Sequence, residues 1–103
     1  MGGTEQELLA ATLEYLSTRR DLKAWRINVT AARDMGGRLV RSGPNGSSDI
    51  SGILVGGRRL EIELKSSTGR VSPEQKAWIE MINSMGGLAF VARSVEEVID
   101  GLR

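Results

Sequence analysis

Ile50-Ser51-Gly52-Ile53-Leu54-Val55-Gly56-Gly57-Arg58-Arg59-Leu60-Glu61-Ile62-Glu63-Leu64-Lys65 reads as two strands joined at a glycine pair, the strongest hairpin signal in the chain. In the second strand alternate side chains share a face, so Glu63 and Lys65 project together while Leu60, Ile62 and Leu64 turn the other way into a core. Asp49 stands just ahead of the first strand. An acid beside an ammonium, with another acid one strand away, suits a divalent metal and an attacking water.

The way the two strands pair decides whether these groups can meet. A plain two-residue turn at Gly56-Gly57 pairs Val55 with Arg58 and, counted back, sets Asp49 opposite Leu64, away from Glu63 and Lys65. A joint site therefore requires a change of parity. The expectation is a three-residue loop, or a bulge with Gly52 as its place.

Outward from the hairpin the chain alternates helices and strands. Thr4 to about Ser17 reads as a helix, with Leu8, Leu9, Thr12, Leu13 and Leu16 on one stripe behind a Thr4-Glu5-Gln6-Glu7 capping box. Lys23 to Val29 alternates as a strand, Thr30 to Gly37 reads as loop, and Arg38 to Arg41 as a short strand before the turn-rich Ser42–Ser48. Ser72-Pro73-Glu74-Gln75 opens a second helix with an N-cap, a proline in the first helical position and a capping box. That helix is expected to turn Trp78, Ile82 and Met85 inward and to stop at Gly86-Gly87. Leu88 to Ala92 is an unbroken apolar run, as a buried parallel strand would be, and Ser94 caps a last short helix. The predicted order is αβββαβ with a trailing helix, an α/β chain built on a mixed sheet.

Composition limits the chemistry. At 103 residues the chain fits one domain, 1–103. It has no cysteine and no histidine, which removes disulfides, thiolate metal sites and the commonest general base. Any catalysis must rely on carboxylates, lysine and hydroxyls, and any ion would be hard and oxygen-seeking, Mg²⁺ or Mn²⁺. No stretch approaches the ~20 apolar residues of a membrane helix, so a cytoplasmic location and no membrane partner are expected. The net charge is only +1, yet residues 19 to 59 hold nine basic side chains (Arg19, Arg20, Lys23, Arg26, Arg33, Arg38, Arg41, Arg58, Arg59) against Asp21, Asp34 and Asp49. Such a block matches a phosphate-binding surface, with Arg26 and Arg41 the expected backbone contacts, although a solvated mixed-charge surface reads the same way in sequence.

Three segments together carry a resemblance: Arg41-Ser42-Gly43-Pro44-Asn45-Gly46-Ser47-Ser48-Asp49-Ile50, Glu63-Leu64-Lys65, and Arg70-Val71-Ser72-Pro73-Glu74-Gln75. With Glu14-Tyr15-Leu16, Trp25-Arg26 and Gly86-Gly87-Leu88-Ala89-Phe90-Val91 in the same order, nearly the whole chain resembles the virus-type replication-repair nuclease (VRR-NUC) domain. That domain is a branch of the PD-(D/E)xK nucleases, and the likeness is to short stand-alone phage and prophage members. One departure is Ser48, where the family usually has proline.

The resemblance implies a restriction-endonuclease-like fold and a metal-dependent endodeoxyribonuclease selective for DNA structure. By the same resemblance Asp49 and Glu63 would bind Mg²⁺ or Mn²⁺ with the Leu64 backbone carbonyl. Lys65 would orient or deprotonate the water, or steady the pentavalent phosphate, and Gln75 and Glu7 match further polar positions of such sites. Stand-alone relatives imply a homodimer acting on four-way (Holliday) junctions or other branched DNA in a phage-infected or prophage-bearing cell. The competing reading is a non-catalytic DNA-binding module that keeps the fold. Capping alone would explain Gln75 and Glu7. Glu61 reads as a solvated neighbour of the site or a third acid at its rim, and Trp25, Trp78 and Phe90 as core.

Overall fold

The computed structural model describes residues 4–27, 31–33, 35–41 and 46–103, with the strands at 31–33 and 39–41 described by backbone alone. The order is α1 (Glu5–Ser17), β1 (Leu22–Arg26), β2 (Ala31–Arg33), β3 (Leu39–Arg41), β4 (Ile50–Leu54), β5 (Arg59–Leu64), α2 (Pro73–Ser84), β6 (Leu88–Ala92) and α3 (Val95–Gly101). Four strands form one sheet in the order β1-β4-β5-β6, antiparallel except for the parallel β5–β6 pair that α2 connects. The αβββαβ core with a closing helix is therefore present, and β2 and β3 are a separate antiparallel pair inserted between β1 and β4.

β2 lies where the sequence reads as loop. Ala31-Ala32-Arg33 has little strand propensity of its own, and its pairing with Leu39–Arg41 supplies the ladder. The second half of the expected 23–29 strand, Asn28 and Val29, and most of the turn after Arg41 lie outside the described residues.

Register assigns the two faces. Ala24, Gly52 and Leu60 form one cross-strand row and Arg26, Ile50 and Ile62 the next, continued onto Leu88 and Phe90 of β6. From this face Ile50, Leu60, Ile62, Leu64 and Ala92 are buried together with Leu16 of α1 and Val98 of α3. Each fully buried Leu or Ile contributes about 1.5–3 kcal/mol of transfer free energy, so this layer holds α1 and α3 to the sheet. The helices begin where sequence expects: Thr4, Ser72 and Ser94 each accept a backbone N–H from the residue three ahead.

α2 packs on the opposite face against β5 and β6. It buries no residue completely. Trp78 and Ile82 are half-buried, but Met85 is 80% exposed, contrary to the inward stripe expected of it. The helix stops at Ser84, and Met85 has left helical geometry with ψ near 11°, so the 3.6-residue period no longer governs where it points.

Candidate metal and nucleic-acid site

The hairpin adopts the parity that a joint site needs. Ile50 pairs with Ile62, Ser51 with Glu61, Gly52 with Leu60 and Ile53 with Arg59, and the Leu54 N–H donates to Arg58 O, which leaves Val55-Gly56-Gly57 as a three-residue loop. Gly56 and Gly57 both take φ near +90°, a region open to glycine and strained for other residues. Gly52 is not bulged. It pairs regularly on both sides, and a Cβ there would fall 2.6 Å from Lys23 O, so glycine at this position lets β1 close onto β4.

Continued by one step, this register brings Asp49 opposite Glu63. Asp49 is fixed from two directions: its carbonyl accepts the Ile27 N–H at 2.8 Å and its Oδ2 accepts the Leu64 N–H at 2.9 Å. Glu63 is buried, and its Oε2 accepts from Gln75 Nε2 at 3.1 Å and lies 3.6 Å from Lys65 Nζ. Burial, and then the charge and hydrogen bond of the adjacent Asp49, push the Glu63 carboxyl up to about 8, while Lys65 pulls the other way. Two acids in contact thus favour holding one proton between them.

Gln75 performs two tasks that the sequence offered as alternatives. Its Oε1 accepts the Ser72 N–H and its own N–H reaches Ser72 Oγ, completing the capping box, while its Nε2 extends to Glu63. The loop before Asp49 seats on the same helix end. Gly46, at φ +81°, lies so close that a Cβ would sit 2.3 Å from Glu74 O, which ties the approach of Asp49 to the first turn of α2.

On its other side Asp49 opens to a cleft of about 140 Å³ lined by Glu5, Gln6, Leu9, Arg26 and Leu64. Glu7, the expected α1 acid, is exposed, and its N–H donates to the Thr4 cap. The acid that faces the cleft is Glu5, whose Oε1 also accepts the Ser66 N–H at 3.3 Å, just past Lys65. Its position in the first helical turn was visible in sequence, but three polar side chains share that turn, and only tertiary packing distinguishes them. Arg26 is exposed and lines the cleft. The Arg41 side chain lies outside the described residues; its backbone pairs with Ala31.

Glu61 is not a solvated neighbour. It is 1% exposed and fully engaged: Oε2 accepts from Ser51 Oγ and from Arg59 Nε at 2.8 Å, and Oε1 accepts from Trp78 Nε1 at 2.9 Å. A carboxylate can be buried this way only when its lone pairs are filled, and these donors fill them. Trp25 departs from expectation in the opposite sense, at 41% exposed and outside the core. Phe90 packs against the core as predicted, and Trp78, on α2, is half-buried and outside the core cluster.

Among the described residues no group of three or more His, Cys, Asp or Glu gathers that could hold a metal ion. Asp49 and Glu63 offer only oxygen, a donor type suited to Mg²⁺ or Mn²⁺. A cation could replace the proton that the pair otherwise retains. No described helix is long and apolar enough to cross a membrane. A family model described as the VRR-NUC domain matches residues 4–96. A search of curated proteins finds no match.

Proposed function

From the premise that this chain belongs to the VRR-NUC domain family, and so has a nuclease-type, DNA-processing function, we propose that it is a metal-dependent, structure-selective endodeoxyribonuclease. The single observation that carries this reading is the Asp49–Glu63–Lys65 arrangement, two facing acids with a lysine ammonium 3.6 Å from one of them. Asp49 and Glu63, with the Leu64 carbonyl, would hold Mg²⁺ or Mn²⁺, which when bound polarises phosphoryl oxygens, lowers the pKa of its water and stabilises the departing 3′ oxygen.

The chain's own groups supply the rest. Gln75 holds the Glu63 carboxylate from behind, which fixes its rotamer and leaves its free edge for the cation. Lys65, whose Nζ lies 3.6 Å from Glu63, would orient the attacking water and counter charge on the pentavalent phosphorus. Arg26, on the cleft wall beside Asp49, would meet a backbone phosphate. Glu5 is better situated than Glu7 to contribute from α1.

We assign the substrate as four-way junctions or other branched DNA, cut by a homodimer. In support, Met85, 80% exposed, lines with Trp78, Ile82, Arg58 and Arg59 a groove of about 410 Å³, a part-apolar surface that a second copy would cover. The test is incubation with Mn²⁺ and a synthetic four-way junction beside Asp49→Ala and Lys65→Ala. Cleavage by the unmodified chain alone supports the enzyme. Equal binding by all three with no nicking would establish a non-catalytic binding module, and a strict monomer at micromolar concentration would rule out paired cutting of junctions.

A further inference from the structure

Three cross-strand rows share the face that carries the acids. Asp49 and Glu63 form the first, Trp25, Ser51 and Glu61 the second, and Lys23, Ile53 and Arg59 the third. Successive rows are two residues apart, about 7 Å along the strands. α2 covers this face over β5 and β6. Lys23 and Trp25 of β1 and Ile53 of β4 are exposed on it, while Ser51 of β4 is buried.

Within this area the chemistry is specific. The indole of Trp25 lies one row from Asp49 and Glu63 on one side and one row from the Lys23 ammonium on the other. Arg59, in the same row as Lys23, has its Nε bound to Glu61 and balances the charge of that buried acid. An exposed aromatic face with a cation beside it, one row from the acids, matches a nucleotide: base on the ring, phosphate on the ammonium.

We propose that Trp25 is a stacking platform for one unpaired nucleobase, with Lys23 holding an adjacent phosphate, and that this contact delivers the substrate strand to Asp49 and Glu63. The proposal rests on the nuclease reading and sharpens it. Bases within a continuous duplex have both faces covered by their neighbours, so the indole can engage one only where the stack is interrupted, at a branch point, flap or single strand. Structure selectivity then comes from a single exposed ring and requires no hydrogen-bond readout of sequence.

The experiment is anisotropy titration of the full chain without added divalent cation, so that nothing is cut, against a labelled oligo-dT strand, a four-way junction with one unpaired thymine at the branch, and a blunt duplex. Trp25→Ala should weaken binding to the first two by about 5- to 150-fold and leave the duplex nearly unchanged. Trp25→Phe should restore most of the loss. If Trp25→Ala melts early, Trp25→Leu carries the test, since it keeps apolar bulk without a π face and should bind as weakly as alanine. Equal binding of all variants to all three DNAs would overturn the proposal, as would a Trp25→Ala protein that binds DNA normally but falls from dimer to monomer in sedimentation. Mn²⁺-dependent cutting by the unmodified chain is read in parallel: intact cutting with no Trp25 effect rejects only the stacking, whereas a Trp25 effect without cutting upholds the stacking and rejects the nuclease reading.

Discussion

The side-chain amide of Gln75 caps its own helix through Oε1 and, through Nε2, donates to Glu63 Oε2 at 3.1 Å, so one residue ties the start of α2 to the acid on β5. Replacement by alanine removes both links. Loss of the reciprocal half of the capping box, with Ser72 still capping, should cost on the order of 0.5–1 kcal/mol of stability, and loss of a group that orients a metal ligand typically costs 10- to 100-fold in metal affinity or activity. Gln75→Glu separates the two, because it keeps an acceptor for Ser72 but sets a third carboxylate against Glu63. Its melting temperature should stay near that of the parent while cleavage falls. A Gln75→Ala protein that melts early yet cuts normally would reduce Gln75 to a cap.

Glu63 gives the protein a definite pH response. Its folded carboxyl, raised from an ordinary 4.5 to about 8, binds its proton more tightly than the unfolded chain does. Without divalent cations, stability from this group is therefore complete below about 4.5 and is lost as pH rises through about 8. Thermal denaturation in chelator should show the melting temperature falling between these limits. Glu63→Gln, which cannot ionise, should flatten that part of the profile, and an unchanged slope would contradict the shared-proton arrangement with Asp49.

The register that sets Asp49 beside Glu63 is held by the pairing of β4 with β1 and β5 and by the core, not by the length of the loop. One or two residues inserted between Val55 and Arg58 only lengthen that loop, at well under about 1 kcal/mol in closure entropy. Both variants should still fold and cut. Loss of cleavage and of cooperative unfolding on a single insertion would show that the three-residue loop itself decides the register.

The buried cluster around Glu61 is structural, and its energetics should show it. Trp78→Phe removes one donor and should cost about 1–3 kcal/mol, the penalty of leaving a buried polar group short of a partner. Glu61→Ala strands both Trp78 Nε1 and Ser51 Oγ, while the half-exposed Arg59 is freed to water, and should cost more, about twice as much for two stranded donors. Chemical denaturation would rank them. Equal small losses would mean that water replaces the carboxylate.

The alternation of Leu60, Ile62 and Leu64 with Glu61, Glu63 and Lys65 made β5 and its two faces legible, and Ser72-Pro73-Glu74-Gln75 marked the start of α2 to the residue. The three-residue loop was deducible only as a requirement of the site. What enforces it is β1: the Val55 N–H donates to Asp21 O at 3.0 Å, so Val55 continues the β1 ladder and does not pair with Arg58. No local pattern in the hairpin contains that contact. Glu61 and Trp25 were misjudged for a related reason. Periodicity shows which residues share a face, but the coverage of that face is set by where α2 lies, over β5 and β6 and away from Trp25. Glu5 could not be separated from Glu7 because both belong to one capped helical turn, and only the packing of α1 beside Asp49 and Leu64 favours the first.

Calorimetric titration with Mn²⁺ above pH 8, where Glu63 has released its proton, tests most directly whether the two facing carboxylates hold a cation. The unmodified chain should bind, with Asp49→Asn and Glu63→Gln each weakened by an order of magnitude or more and Lys65→Ala binding at least as well as the parent. Binding that is indifferent to Asp49 and Glu63, or no binding by the folded parent, would contradict it.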